Sequence, residues 1–378
     1  MKNYQKLFET ATGGQFRPGN QLELLQNGDE IFSAMLGAIR SAQVSIEFVT
    51  YVYWHSQVAN EFADALCERA RAGVKVRLMV DAVGGAIMST RTVGQLEQAG
   101  VHVAWFRPMR FGSLRRANQR NHRKILIVDS TIGFTGGVGI ADQWNGNADG
   151  PGQWRETHCC IEGPACADLA AGFASNWAEA AHERLPQLDP APAAGSTAIM
   201  TTLSSAGARP TPMEQLFETA INASEKRLWI TSAYFIPSPV QVQAMCAAAA
   251  RGVDVRVLTN GLLTNHKITL FAGRSTYAQL IEGGVKIYEY QRTVLHCKLI
   301  TLDKQWVTIG SANLDYRSLL INEELNISVV DEALVAKLDL QFLLDLKHAR
   351  HFGTAAWHRR RWPQRLLEAS SSAFSKQL

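Results

Sequence analysis

Two short stretches of the chain carry residue types that can work on a phosphodiester. The first reads His122-Arg123-Lys124-Ile125-Leu126-Ile127-Val128-Asp129, followed by Gly136-Gly137-Val138-Gly139. The second reads His296-Cys297-Lys298-Leu299-Ile300-Thr301-Leu302-Asp303, followed by Gly310-Ser311-Ala312-Asn313. Both spell H-x-K-x4-D-x6-G-[GS]. In a strand, residues i and i+2 share a face, so His122 points with Lys124 and His296 with Lys298. An imidazole can attack phosphorus while the ammonium beside it neutralises a non-bridging oxygen. Two such pairs facing each other let one neutral histidine attack and the other, protonated, donate to the leaving oxygen. Arg123 and Cys297 turn to the opposite face, where Cys297 reads as packing. Asp129 and Asp303 complete the candidate catalytic set. Their offset from the histidines makes them hydrogen-bond anchors at strand ends.

The elements that must position these groups are duplicated too. Ser45 to Tyr53 and Arg227 to Ile236 are β-rich runs, each followed by a helical stretch and then a glycine-led strand, Gly73 to Leu78 and Gly252 to Val257. Gln95 to Val101 and Gln279 to Val285 then read as a helix end, a glycine cap and a new strand. Alternation of this kind predicts an α/β fold, two similar domains with mixed sheets flanked by helices in a pseudo-two-fold arrangement. The Pro/Ala-rich stretch at 187–198 reads as a linker. It divides the chain into a first domain, 1–186, and a second, 199–378, with the chemistry at their seam.

Glu156 and Glu324 hold matching places in the repeat, each opening a β-rich stretch. A carboxylate accepting from a histidine Nδ1–H fixes the tautomer and leaves Nε2 free to react; both are candidates for this supporting role.

These motifs resemble the phospholipase D superfamily, whose signature is a pair of His-Lys-Asp motifs, over nearly the whole chain. Within it the chain is most similar to the bacterial cardiolipin synthases, through Gly310-Ser311-Ala312-Asn313-Leu314-Asp315-Tyr316-Arg317-Ser318, Asn322 to Asn326, Trp154-Arg155-Glu156-Thr157-His158, Ile161-Glu162-Gly163-Pro164 and the tail from Trp357 to Glu368. No membrane segments precede the motifs, so the short synthase type is the nearer match. The resemblance implies phosphatidyl transfer through a phosphohistidine: two phosphatidylglycerol molecules give cardiolipin and glycerol, with His122 the favoured nucleophile. It also implies phosphate contacts from Ser311 and Asn313. Hydrolysis by the same machinery, as in a phospholipase D, and the nuclease chemistry of other superfamily members are the alternatives, and a membrane adaptor without turnover is disfavoured by the presence of both histidines and both lysines. One position departs from the pattern. Gly139 stands where the family motif has asparagine, so fewer oxygen contacts are expected in the first half.

The 378 residues are 46% hydrophobic and 19% charged, which suits a globular chain and excludes a disordered one. The six cysteines have no zinc-like C-x2-C spacing and read as buried free thiols in a reducing compartment. No metal or other cofactor is expected, since Lys124 and Lys298 supply the positive charge. No apolar run reaches the ~18–20 residues that span a bilayer. The net charge is only +4, but Arg107 to Lys124 holds six arginines and one lysine without an acidic residue. That stretch, with Phe111 and Leu114, and the tail cluster of Arg359, Arg360, Arg361 and Arg365 with Trp357 and Trp362, reads as a rim attracting anionic phospholipid. Phosphatidylglycerol and an anionic membrane surface are the expected partners, at the cytoplasmic side of the cell membrane and without a transmembrane segment; nucleic acid is the weaker alternative.

Overall fold

The computed structural model describes residues 2–108, 118–207 and 209–354, together with 357, 368, 370 and 371. Seven strands build the first half: β1 (Phe16–Gln26), β2 (Ser45–Thr50), β3 (Lys75–Asp81), β4 (His102–Phe106), β5 (Ile125–Val128), β6 (Ile132–Gly136) and β7 (Thr157–Glu162). Eight build the second: β8 (Thr197–Ser204), β9 (Arg227–Ser232), β10 (Asp254–Asn260), β11 (Lys286–Tyr290), β12 (Lys298–Leu302), β13 (Trp306–Gly310), β14 (Glu324–Val330) and β15 (Ala349–Phe352). The hydrogen-bonded order is β15-β11-β10-β9-β12-β13-β14-β8-β1-β7-β6-β5-β2-β3-β4. Read outward from the β1–β8 pair, the two halves repeat the same order, and β15 is an addition at one edge. The expected α/β duplication is therefore present, and the two half-sheets join through the antiparallel β1–β8 pair.

Strands β2, β3 and β4 run parallel, as do β9, β10 and β11. Parallel neighbours need crossover helices, supplied by Gln57–Arg71 and Thr90–Gln98 in one half and by Pro239–Ala250 and Tyr277–Glu282 in the other. Sequence chemistry sets their ends. Ser56 and Ser238 accept from the backbone N–H three residues on, and Pro239 occupies the first turn behind Ser238. Helices Cys166–Ala180 and Glu332–Leu346 face inward. Their Leu169, Phe173, Leu338 and Phe342 share one core with β5, β7, β12 and β14. That shared core clamps the halves together.

Two boundaries differ from the sequence reading. Strand β8 begins at Thr197, because Thr197 pairs with Asn20, so the linker ends two residues early. Helix Tyr4–Thr12 packs on the second half: Phe8 stacks on Trp306 at 4.0 Å between ring centres, and the Tyr4 hydroxyl donates to Asp303 at 2.6 Å. Among the described residues, no helix is long and apolar enough to cross a membrane.

Candidate active site

Each histidine stands just outside a strand. β5 begins at Ile125 and β12 at Lys298, so the strand geometry assigned to His122–Lys124 starts one residue after the motif lysine, and His296 likewise precedes its strand. What fixes the histidines is backbone pairing between the halves. The His122 N–H donates to the Glu323 carbonyl at 2.9 Å and the Glu323 N–H to Arg120 at 2.9 Å; likewise His296 donates to Arg155 and Arg155 to Val294, each at 2.8 Å. Glu324 follows Glu323, and Glu156 follows Arg155. Each histidine is thereby set beside the glutamate of the opposite half.

The side chains close the crossed pairs. His122 Nδ1 lies 2.9 and 3.1 Å from the two oxygens of Glu324. His296 Nδ1 lies 2.8 Å from Glu156 Oε2. Ser311, expected at the phosphate, instead donates its hydroxyl to Glu324 Oε2 and accepts from the Leu325 N–H at 3.0 Å. That hydroxyl is consumed in holding the carboxylate. On the other side, the Thr157 N–H donates to Glu156 Oε1 at 3.0 Å.

The lysines lie beside the rings. Lys124 Nζ donates to the His122 carbonyl at 2.7 Å. Lys298 Nζ donates to the His296 carbonyl and sits 3.0 Å from His296 Nδ1. Burial lowers both ammonium pKa values, for Lys124 to about 7, against the pull of Glu324 and Glu156. Burial also keeps His122 below the ordinary imidazole value, opposed by Glu324, and His296 well below it, with Lys298 and Lys124 adding to the effect. Burial works against charge on Glu324, yet His122 and Lys124 hold its carboxylate below the usual range; burial pushes Glu156 up, opposed by Lys298. Neutral imidazoles tied at Nδ1 are left with Nε2 for chemistry.

Three of the four side chains, His122, Lys124 and His296, line one open cavity of about 430 Å³, and Lys298 stands beside His296 without lining it. Its walls differ. Trp144 and Trp154 flank His296, with ring centres 5.2 and 5.4 Å away, whereas Tyr51 meets His122 edge-on at 5.2 Å. Asn313, Asp315, Tyr234 and Arg317 line it as well. Asn313 lines the cavity, its Oδ1 accepting from the Tyr234 N–H at 3.3 Å. Gly139 is explained by Trp144: a Cβ there would fall 2.8 Å from the Val52 Cβ and 2.9 Å from the indole. The indole takes the corner that Asn313 fills in the second half.

Asp129 and Asp303 stay out of the cavity. Asp129 accepts from the N–H groups of Gln43, Val44 and Ser45, and Asp303 from those of Glu225, Lys226 and Arg227, all within 3.0 Å. Both lie at φ 49° in the turns after β5 and β12. They tie those turns to the starts of β2 and β9.

The basic stretch also changes meaning. Arg107 pairs with Glu179 at 2.7 Å, Arg120 lies 3.5 Å from Asp81, and Arg123 donates to Glu323 at 3.1 Å and to Asn176 at 2.7 Å. Arg120 and Arg123 are buried, and Arg123 crosses the seam to Glu323, so these two charges cannot act as a surface rim. Arg110, Phe111, Leu114, Arg115 and Arg116 lie outside the described residues, as do Arg359, Arg360, Arg361, Trp362 and Arg365. Sequence reasoning missed Tyr51, Trp144, Asp315 and Arg120 as cavity residues. Of these, Asp315 carried a signal as part of the run that follows Asn313, and Arg120 as part of the basic stretch. It caps helix Tyr316–Leu320 by accepting from Ser318, and burial pushes its carboxyl up to about 7.

Duplicated half-sheets, a cavity at their seam and crossed His–Glu pairs beside lysines define a phospholipase D-like protein. Its overall chain path is shared by the phosphatidylserine synthase of Haemophilus influenzae (TM-score 0.75, 12% identity, all of both chains) and by the polyphosphate kinase of Porphyromonas gingivalis (TM-score 0.62, 12% identity, 93% of this chain and 53% of that one). The family model described as cardiolipin synthase, PLD-like domain, matches residues 35–174 and 217–346. The cardiolipin synthase of Geobacillus kaustophilus is 33% identical over 362 residues, and the probable cardiolipin synthase YwiE of Bacillus subtilis 30% over 361, each alignment taking in 94% of this chain and 72% of the relative. The chain belongs to the cardiolipin synthase family of phospholipase D-like proteins.

Proposed function

We propose that this protein transfers a phosphatidyl group from one phosphatidylglycerol to another, forming cardiolipin and releasing glycerol. The observation that carries the reading is the crossed pair, His122 on Glu324 and His296 on Glu156, at one cavity lined by Lys124, with Lys298 beside His296. His122 is the attacking group: its side chain is 12% exposed, whereas His296 is 7% exposed and walled by two tryptophans. In this reading His296 carries the proton at Nε2, where the charge of a bound anionic phosphodiester offsets burial and the two lysines. His122 Nε2 forms a bond to phosphorus, the phosphorus–oxygen bond to glycerol breaks, and His296 gives the leaving oxygen its proton. The hydroxyl of a second phosphatidylglycerol then gives a proton back to His296 and attacks phosphorus, breaking the P–N bond. Lys124 and Lys298 stabilise charge on the non-bridging oxygens, with Asn313 as a neutral donor.

Vesicles of labelled phosphatidylglycerol test this with purified enzyme. Cardiolipin and glycerol in equal amounts support the transfer. Phosphatidic acid as the main product would make water the acceptor and the protein a phospholipase D. Cleavage of DNA without lipid turnover would replace the lipid reading altogether.

A further inference from the structure

Loops of the same kind in the two halves carry aliphatic side chains into solvent beside the cavity. The loop after β3 exposes Val83 (42%) and Ile87 (62%), and the segment after β10 exposes Leu262 (55%), Leu263 (38%) and Ile268 (55%). Strands β3 and β10 are counterparts in the repeat, so the two loops leave matching ends of the two half-sheets. That end is the mouth of the active site: Val83 lines the cavity from one loop, Asn265 and His266 from the other. Thus five of the ten exposed large hydrophobic residues among those described lie in these two segments, which both reach the opening through other residues or through Val83 itself. Clustered exposure of this kind marks an interaction surface, because scattered aliphatic residues would show no such focus.

We infer that Ile87, Leu262, Leu263 and Ile268 form a two-sided rim that dips into the lipid surface and seats the cavity mouth on the bilayer. The inference rests on the lipid substrate proposed above and adds the surface that meets the membrane. Its occupant follows from the chemistry of the rim. Arg91 and Lys267 stand exposed beside the aliphatic residues, and this mixture of aliphatic tips and basic flanks suits an anionic headgroup layer over acyl chains. A lipid whose phosphate must reach His122 while its chains stay in the bilayer requires an apolar contact at the opening. A rim on both sides of the mouth provides it.

The test uses the full chain, vesicles containing phosphatidylglycerol, and bis(p-nitrophenyl) phosphate as a soluble probe. Ile87→Asp and the pair Leu262→Asp with Leu263→Asp are compared with Leu340→Asp and Leu343→Asp, which alter an exposed apolar stretch of helix Glu332–Leu346. The rim variants are expected to weaken vesicle binding about tenfold or more, while soluble turnover and thermal midpoint stay as in the parent. The helix variant is expected to bind vesicles normally. Rim-dependent binding also persists in 1 M salt, where purely electrostatic attraction is screened. Unchanged vesicle binding by the rim variants overturns the inference, as does its loss in the helix variant alone. So does a switch from dimer to monomer in the rim variants without loss of vesicle binding, which would make the rim a contact between two copies. If vesicles bind through the rim but phosphatidylglycerol is not turned over, the docking surface stands and the proposed reaction fails.

Discussion

His122 Nδ1 lies 2.9 Å from Glu324 Oε1, although 202 positions of chain separate the two residues. The reciprocal pair, His296 with Glu156, spans 140 positions in the other direction. Neither half of the molecule therefore completes either of these two histidine–carboxylate pairs on its own, and both are assembled at the seam.

Glu324→Gln keeps the shape but removes the charge that orients His122. kcat should fall by about 10²-fold or more, as for other carboxylates that support an imidazole. Glu324 raises the His122 pKa against burial, so its loss lowers that pKa further. The acid limb of the kcat/KM profile should move to lower pH, a shift that a merely structural role would not produce.

Alanine at His122 and alanine at His296 should each cost about 10²–10⁴ in turnover. Only His122→Ala should abolish covalent labelling by the substrate. In His296→Ala the phosphoryl adduct can form from an activated donor with a good leaving group, which needs no proton. Labelling of His122→Ala with retained loss in His296→Ala would reverse the assignment of roles.

Lys124, with a pKa lowered to about 7, must be protonated to neutralise a phosphate oxygen. The kcat/KM profile should therefore fall as pH rises through about 7, and the kcat profile should hold to higher pH because bound phosphodiester stabilises the ammonium. Lys124→Arg, whose charge persists, should move the alkaline limb of kcat/KM upward whatever it does to the maximal rate.

Asp303→Ala removes the acceptor of three backbone N–H groups and the Tyr4 hydroxyl. The expected loss is about 3 kcal/mol in denaturant unfolding, with turnover per folded molecule changed by less than about tenfold. A rate loss like that of the histidine variants would place Asp303 in the chemistry. Burial disfavours the Asp303 charge, but its hydrogen bonds keep the pKa below the ordinary value. Its contribution is thus complete above about pH 4 and is lost as the pH falls through the lower folded-state value.

Gly139→Asn should not restore a phosphate contact. The new Cβ would strike Val52 and Trp144, and overpacking of this kind typically costs about 1–3 kcal/mol. Combining it with Trp144→Ala should relieve part of that loss, a coupling readable in a double-mutant unfolding cycle.

The duplicated topology and the His-Lys pairs were legible because periodicity and spacing are local properties of a chain. The crossing of the carboxylates was not: Glu156 and Glu324 could be paired by role, but only the packing of the two halves decides which histidine each one meets. Charge misled for a similar reason. Arg107, Arg120 and Arg123 read as part of a rim for anionic phospholipid, yet Glu179, Asp81 and Glu323, distant in sequence, hold all three and Arg120 and Arg123 are buried. Trp144 filling the corner opened by Gly139 is likewise a three-dimensional trade, and nothing in the sequence around either residue announces it.

The crossed pairs also order the events of synthesis. A chain growing from its N-terminus carries His122 and Lys124 long before Glu324 leaves the ribosome, and the helix at Tyr4–Thr12 waits equally long for Trp306. The first half can reach its own strand order, but its histidine has no carboxylate to fix its tautomer. Any product cut short before Glu324 therefore lacks the crossed pair that fixes His122, whatever order its own strands have reached.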